Sequence, residues 1–374
     1  MSVSKHRPGH VELTQNMVAS FPPWWTWIWP LAACGILVVA ALAKQNGLVA
    51  GAAGLILIPT VFAAVYHAEV VAHRTGEPLG TLVLAVAVTV IEVALIVSVM
   101  IAAPAEKAGL ARDTVFAAVM IVCNGIVGIC LFFGGARYHV QEFKIQGASA
   151  ALAVLAALTI GTLILPNVAT SVPGPKFSTS QLIFAGIVSL VLYGSFVFVQ
   201  TIRHRDYFLP INGNEQDHAP PPLRFTAIIS AVLLLVSLVA VVGLAKVLTP
   251  IVELGIARIG VSKAIVGIVI AGLVLLPEGF AALKAARANR LQTSLNLALG
   301  SALASIGLTI PAVAVTSIIL DQPLELGLDQ KEQVMLALTL FVSIITLGTG
   351  RTTVLQGIVH IVIFAIFVFF AIVL

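Results

Sequence analysis

Apolar residues run along this chain in blocks about twenty residues long, separated by short polar interruptions. A hydrocarbon core about 30 Å thick, at a rise of about 1.5 Å per residue, is crossed by a helix of that length. The pattern predicts eleven spans, at roughly 27–44, 48–72, 79–103, 113–134, 147–166, 180–202, 224–248, 262–286, 293–320, 333–349 and 352–373. Several exceed the minimum and are expected to tilt. The one long gap, 203–223, is polar and proline-rich and reads as a linker. The expected plan is all-α and polytopic: 1–46 with a leading helix, 47–202 with five helices, the linker, and 224–374 with five more. Five is odd, so the second set enters from the opposite side, as in transporters built from inverted repeats with a midplane site.

Two acids break the apolar pattern where the bilayer is most costly. Glu92 and Glu278 each have about a dozen mostly apolar residues on both sides. A carboxylate at that depth faces a partner or a watery cavity rather than lipid. Their surroundings match as well. Glu69-x4-Arg74-x-Gly76 precedes Glu92, and Glu253-x4-Arg258-x-Gly260 precedes Glu278. Glu69 and Glu253 are 184 positions apart, and Glu92 and Glu278 are 186 apart. Each half is therefore expected to deliver one acid to a shared site.

Composition agrees: 59% of residues are hydrophobic, 10% are charged and the mean hydropathy is +1.08. The net charge of +4 comes without a basic stripe, which argues against nucleic acid as a partner. Those charges read instead as loop residues that fix orientation. With the N-terminus inside, twelve Lys and Arg fall on the cytoplasmic side and eight on the other, which favours a cytoplasmic N-terminus. The acidic 321–332 loop then lies outside. Trp24, Trp25, Trp27 and Trp29 mark an interface where the first span begins rather than a signal peptide. The three cysteines sit in apolar segments without metal-thiolate spacing, so no resident cofactor is expected.

Two carboxylates at one point present up to four oxygens to a hard cation, and calcium accepts about 6–8. Further donors are predicted nearby. Pro277 cannot donate to the helix ladder, which frees carbonyls near 273–274. Thr89 lies one turn before Glu92, Ser301 and Ser305 lie one turn apart in helix 9, and Asn124 is in helix 4. Glu69 and Glu253 are candidates for lining the cation or proton path, with His67 and His73 flanking Glu69 as possible proton carriers. His360 in helix 11 reads as a packed polar contact. Two like charges held close resist full ionisation, so an empty site takes up protons readily. One divalent ion or two protons neutralise such a pair equally, and competition between them yields antiport.

Glu69, Thr75-Gly76, Gly80 and Glu92 resemble the first α-repeat of the Ca²⁺/cation antiporter superfamily, in particular its cation/proton exchangers. Glu278 with Gly300-Ser301 resembles the second repeat. Gly134-Gly135, Gln141-x-Phe143 and Gly350-Arg351-Thr352-Thr353 match further landmarks. The stretch HAEVVAHRTGEPLGTLVLAVAVTVIEVALI is most similar to bacterial ChaA-type Ca²⁺/H⁺ and Na⁺(K⁺)/H⁺ antiporters. The resemblance implies eleven helices in a bacterial inner membrane, with Glu92 and Glu278 carrying cation and proton. Many cation/proton exchangers place Gly-Asn three to four residues before each central glutamate. Here those positions hold Val88-Thr89 and Val274-Leu275, and the helix 4 Ser-Asn is Ile121-Val122.

The expected activity is Ca²⁺/H⁺ antiport, with Na⁺(K⁺)/H⁺ antiport as the alternative. A channel is the less favoured class, because conduction calls for weak multi-site binding along a pore. No His-Glu-x-x-His or comparable arrangement suggests an enzyme.

Overall fold

A computed structural model describes residues 22–42, 47–76, 79–102, 108–210, 221–259 and 264–373, with only the backbone described at 81–82, 98–102, 249–259 and 264. Eleven long helices follow one another: α1 Trp24–Leu42, α2 Gly47–Thr75, α3 Leu79–Ala102 and α4 Leu110–Tyr138. After them come α5 Ile145–Asn167, α6 Thr179–Arg203, α7 Arg224–Ile259 and α8 Ala264–Arg287. The last three are α9 Leu291–Leu320, α10 Gln330–Leu347 and α11 Val354–Ile372. Among the described residues ten are long and apolar enough to cross a membrane, and α3 adds the apolar segment Val83–Val97. The chain is a polytopic all-α membrane protein.

Observed ends fall close to the predicted ones, with one large difference. The helix expected to stop at 248 continues through Pro250 and Glu253 to Ile259, giving α7 its 36 residues. Glu253 consequently lies within a helix, six residues before its end, as Glu69 lies six before the end of α2. Local sequence sets the starts of three helices. Ser178 with Gln181, Asp329 with Glu332 and Thr353 with Gln356 form capping boxes at α6, α10 and α11, each satisfying two otherwise free N–H groups.

Packing gathers most of the apolar interior into two large clusters. One joins α4, α5, α6, α9, α10 and α11, and the other joins α1, α2 and α7. Helices α3 and α8 belong to both. Ile91 and Leu95 pack in the second cluster while Ile96 packs in the first, and Val274 and Leu275 divide the same way. The helices that carry Glu92 and Glu278 thus run along the seam between the two clusters.

Short structures outside the helices hold this arrangement together. Gln141–Glu142 and Arg351–Thr352 form a two-residue antiparallel pair, extended by Phe143 N–H donating to the Gly350 carbonyl over 2.9 Å. Gln141 also donates through Nε2 to the Ala286 carbonyl and to Asn289 Oδ1, at 3.0 Å each. A Cβ on Gly135 would meet the backbone of Thr353 and Val354. The three glycine- and glutamine-containing landmarks of the sequence therefore converge on one clamp between the two halves. At the opposite ends of these helices, the 321–329 loop is strapped down. Arg112 donates to the Gly327 carbonyl, Asn167 to that of Leu328, and Lys176 pairs with Glu325 at 3.2 Å.

Candidate functional site

The path to the first acid begins at the end of α2. Thr75 caps its own helix, and Gly76 adopts φ of +70°, a left-handed conformation that glycine accepts without strain. Gly80 then lies against the Ala72 carbonyl so closely that a Cβ would collide with it. The turn folds α3 back onto α2, and twelve residues beyond Gly80, at 1% exposure, sits Glu92. Its Oε2 accepts the Ser305 hydroxyl at 2.7 Å, while its Oε1 is buried without a hydrogen-bond partner. Thr309, one turn beyond Ser305 on α9, lies beside the same carboxylate.

The second acid follows Pro277 inside α8, and the helix runs on through the proline to Arg287. Glu278 is half-buried, and its Oε2 is also buried without a partner. Its helix packs against α2 and α3, which carry Glu69 and Glu92. Among the described residues no three His, Cys, Asp or Glu side chains converge tightly enough to form a ready-made chelate. Two buried carboxylate oxygens, Glu92 Oε1 and Glu278 Oε2, are left without hydrogen-bond partners. Buried polar atoms without partners are rare, and such a set suits a guest that supplies positive charge.

The other predicted residues separate into those near this site and those elsewhere. Ser305 reaches Glu92, whereas Ser301, one turn earlier, is half-buried and the next hydroxyl near the acid is Thr309. Continuing the four-residue spacing 301, 305 by one more step would have found it. Thr89 is buried one turn before Glu92, but its hydroxyl donates to the Ala85 carbonyl of its own helix, leaving only an oxygen lone pair to face a guest. Asn124 is not at the acids. It points to Thr339 and His360, because α4 widens around it and turns its amide toward α10 and α11. Glu69 is exposed, as is His73, and His67 bonds to the Thr26 carbonyl of α1 at 3.0 Å instead of serving the site. The Glu253 side chain lies outside the described residues.

On the side away from the α2–α3 turn the described part of the seam is apolar. A cavity of about 40 Å³ there is lined by aliphatic groups, Leu57, Val61, Leu95, Val266, Ile270 and Leu273 among them. It is roomy enough for a water molecule, yet it offers none of the polar partners that hold one.

An eleven-helix membrane fold with unpaired buried carboxylates on two seam helices is the build of a secondary cation transporter. The family follows from the sequence profile described as "Sodium/calcium exchanger protein", which matches residues 46–202 and again 229–373, and the chain belongs to that family. It is 49% identical over 355 residues to the "Putative ionic transporter y4hA" of Sinorhizobium fredii, covering 92% of this chain and 95% of the relative. It is 34% identical over 313 residues to the "Sodium-potassium/proton antiporter ChaA" of Escherichia coli, covering 83% and 84%. Among solved structures, that of native YfkE superposes with a TM-score of 0.71 at 18% identity, covering 93% of this chain and 100% of that one, which establishes likeness of fold. The protein is a membrane antiporter of inorganic cations, a transporter and not an enzyme.

Proposed function

We propose that Glu92 and Glu278 form one shared site that holds either one Ca²⁺ or two protons, so that the protein exports calcium in exchange for protons. One observation carries this reading: Glu92 Oε1 and Glu278 Oε2 are both buried without partners, on two seam helices that pack against each other. A single divalent charge balances both groups, and so do two protons, but not together. Ser305 and Thr309 add oxygens, and the lone pair of Thr89 adds another. Residues 47–202 and 224–374 act as inverted repeats, a reading supported by the double match to one family profile. The N-terminus is cytoplasmic and the membrane is the bacterial inner membrane, in keeping with the charge balance of the loops and with bacterial relatives.

A second reading replaces calcium with sodium or potassium at the same site. It is favoured by the name of the Escherichia coli relative and by Val274 and Leu275, which supply no side-chain oxygen before Glu278. The test is quenching of a pH-sensitive dye in everted vesicles, titrated separately with CaCl₂, NaCl and KCl. Calcium-driven dequenching at lower concentration than either monovalent salt is the expected result. Response to the monovalent salts alone overturns calcium as the cargo.

A further inference from the structure

A second set of buried polar groups lies on α4, α10 and α11, where the proposed cation site makes no use of it. Helix α4 is regular to Met120 and then widens over Ile121–Ile126 into π-type turns. At its end Val127 N–H reaches back five residues to the Val122 carbonyl. Where four-residue spacing resumes, one carbonyl is passed over, a defect that demands another donor. The fully buried ring of His360 stands against the Cys123 carbonyl, and its Nδ1 lies 3.1 Å from Asn124 Oδ1.

The direction of every hydrogen bond in this group follows from one atom. The thioether of Met120 only accepts, so the Thr339 hydroxyl, 3.3 Å away, donates to it. The Thr339 oxygen is then left to accept Asn124 Nδ2–H at 2.8 Å. Asn124 Oδ1 consequently faces His360 and needs a donor, which puts the ring proton on Nδ1. Nε2 is bare in that form and accepts the Thr346 hydroxyl at 3.1 Å. Five side chains from three helices thus run in one polarity, from Thr346 to Met120.

The other face of the widened turn backs the helix that carries Glu278. Ile126 Cδ1 lies 3.3 Å from where a Cβ of Gly279 would stand, and Gly125 and Gly128 lie against Phe364 and His360. Helix α4 is wedged between the two, so whatever fixes its wide turn also fixes how α8 seats.

We propose that His360, neutral and protonated on Nδ1, is a positioning residue for cation exchange: it holds the wide turn of α4 and, through it, the placement of Glu278. The hydrogen-bond polarity stands by itself, while the effect on exchange rests on Glu278 as a cation ligand. The test combines ¹⁵N-histidine NMR of the full-length protein in nanodiscs with exchange kinetics in vesicles. The His360 resonance is expected to be that of the neutral Nδ1–H ring. His360→Leu is expected to raise the apparent KM for the cation at least about tenfold, the usual size of an outer-shell loss. A purely structural role would instead lower the maximal rate with the amount of folded protein. His360→Gln retains one donor and one acceptor and is expected to restore KM. Should His360→Leu fail to fold, Thr346→Val decides, since it removes the hydroxyl from Nε2 and is expected to raise KM in the same direction. An Nε2–H or doubly protonated ring overturns the proposal, as does a wild-type KM in Thr346→Val. Exchange that survives in Glu278→Gln removes the cation-site reading and leaves the NMR result standing, so the two failures are distinguishable.

Discussion

Ser305 Oγ donates a hydrogen bond to Glu92 Oε2 at 2.7 Å, joining side chains 213 positions apart in sequence. The donor comes from α9 and the acceptor from α3, one helix from each half. The contact leaves the other Glu92 oxygen unpaired and aims the carboxylate across the seam instead of along its own helix. A rigid α9, buried along most of its length, therefore sets where the first acid points. Among the described residues, Glu278 Oε2 has no such partner.

Replacing either acid by its amide tests the shared site directly. Glu92→Gln and Glu278→Gln keep shape and hydrogen-bonding capacity but cannot trade a proton for a cation. Each is expected to bring exchange down to the background of empty vesicles while the protein still inserts and folds, checked by yield and by chromatographic behaviour in detergent. Near wild-type flux in either variant removes that residue from the mechanism.

Ser305→Ala removes the hydroxyl that orients Glu92. A hydrogen bond to a charged group is worth about 1.5–3 kcal/mol, and about 1.4 kcal/mol is tenfold in affinity. Apparent cation affinity is expected to fall about tenfold, with a smaller effect in Ser301→Ala, because Ser301 is the neighbour that does not bond to the acid. Concentration dependence of dye dequenching measures both, and equal effects would contradict the placement.

Much of this was legible in the apolar pattern. Helix number and most helix ends follow from block length, because hydrocarbon admits few alternatives to a fully bonded helix. Two features escaped it. Helix α7 runs on past Pro250 to Ile259, which the apolar block did not mark. Asn124 was expected beside the acids from its depth alone, but depth carries no information about azimuth when a helix widens, and the π-type turns swing it toward Thr339 and His360. Thr309 was missed although the serine spacing pointed to it.

Topology is checked with single cysteines introduced at Gly213 and Gln330 in a background lacking Cys34, Cys123 and Cys130. The 203–223 segment is expected to label from the cytoplasm and the 321–332 segment from the opposite side. Labelling of both from one side would break the inverted relationship between the halves, and with it the reason for two acids to share a site.

Competition between calcium and protons makes a quantitative prediction. If calcium and protons share the two carboxylates, calcium needs both ionised, and its apparent affinity is expected to fall as pH falls, with a limiting slope approaching two protons per ion. A monovalent cation that displaces a single proton gives a slope near one. Affinity titrated over about pH 5 to 9, the range in which perturbed carboxylates lose their protons, separates the two cargoes, and a flat profile would falsify the shared site.

The clamp between the halves can be loosened at one methyl group. Gly135→Ala places a Cβ into the backbone of Thr353 and Val354, and overpacking of this kind costs about 1–3 kcal/mol. A lower melting temperature in detergent is expected, whereas Gly161→Ala, with open space around its Cβ, is expected to leave it unchanged.

The aliphatic cavity beyond the acids has an electrical meaning. A device that converts one ion gradient into another is only as efficient as its insulation, since any thread of water past Glu92 would let protons run downhill without moving a cation. Leu57, Leu95 and Ile270 present nothing a water molecule can hold on to, and are expected to supply that insulation. A single hydroxyl there, as in Leu95→Ser, would convert a tightly geared exchanger into one that slips, and the loss would appear as dissipation of the pH gradient with no cation present at all.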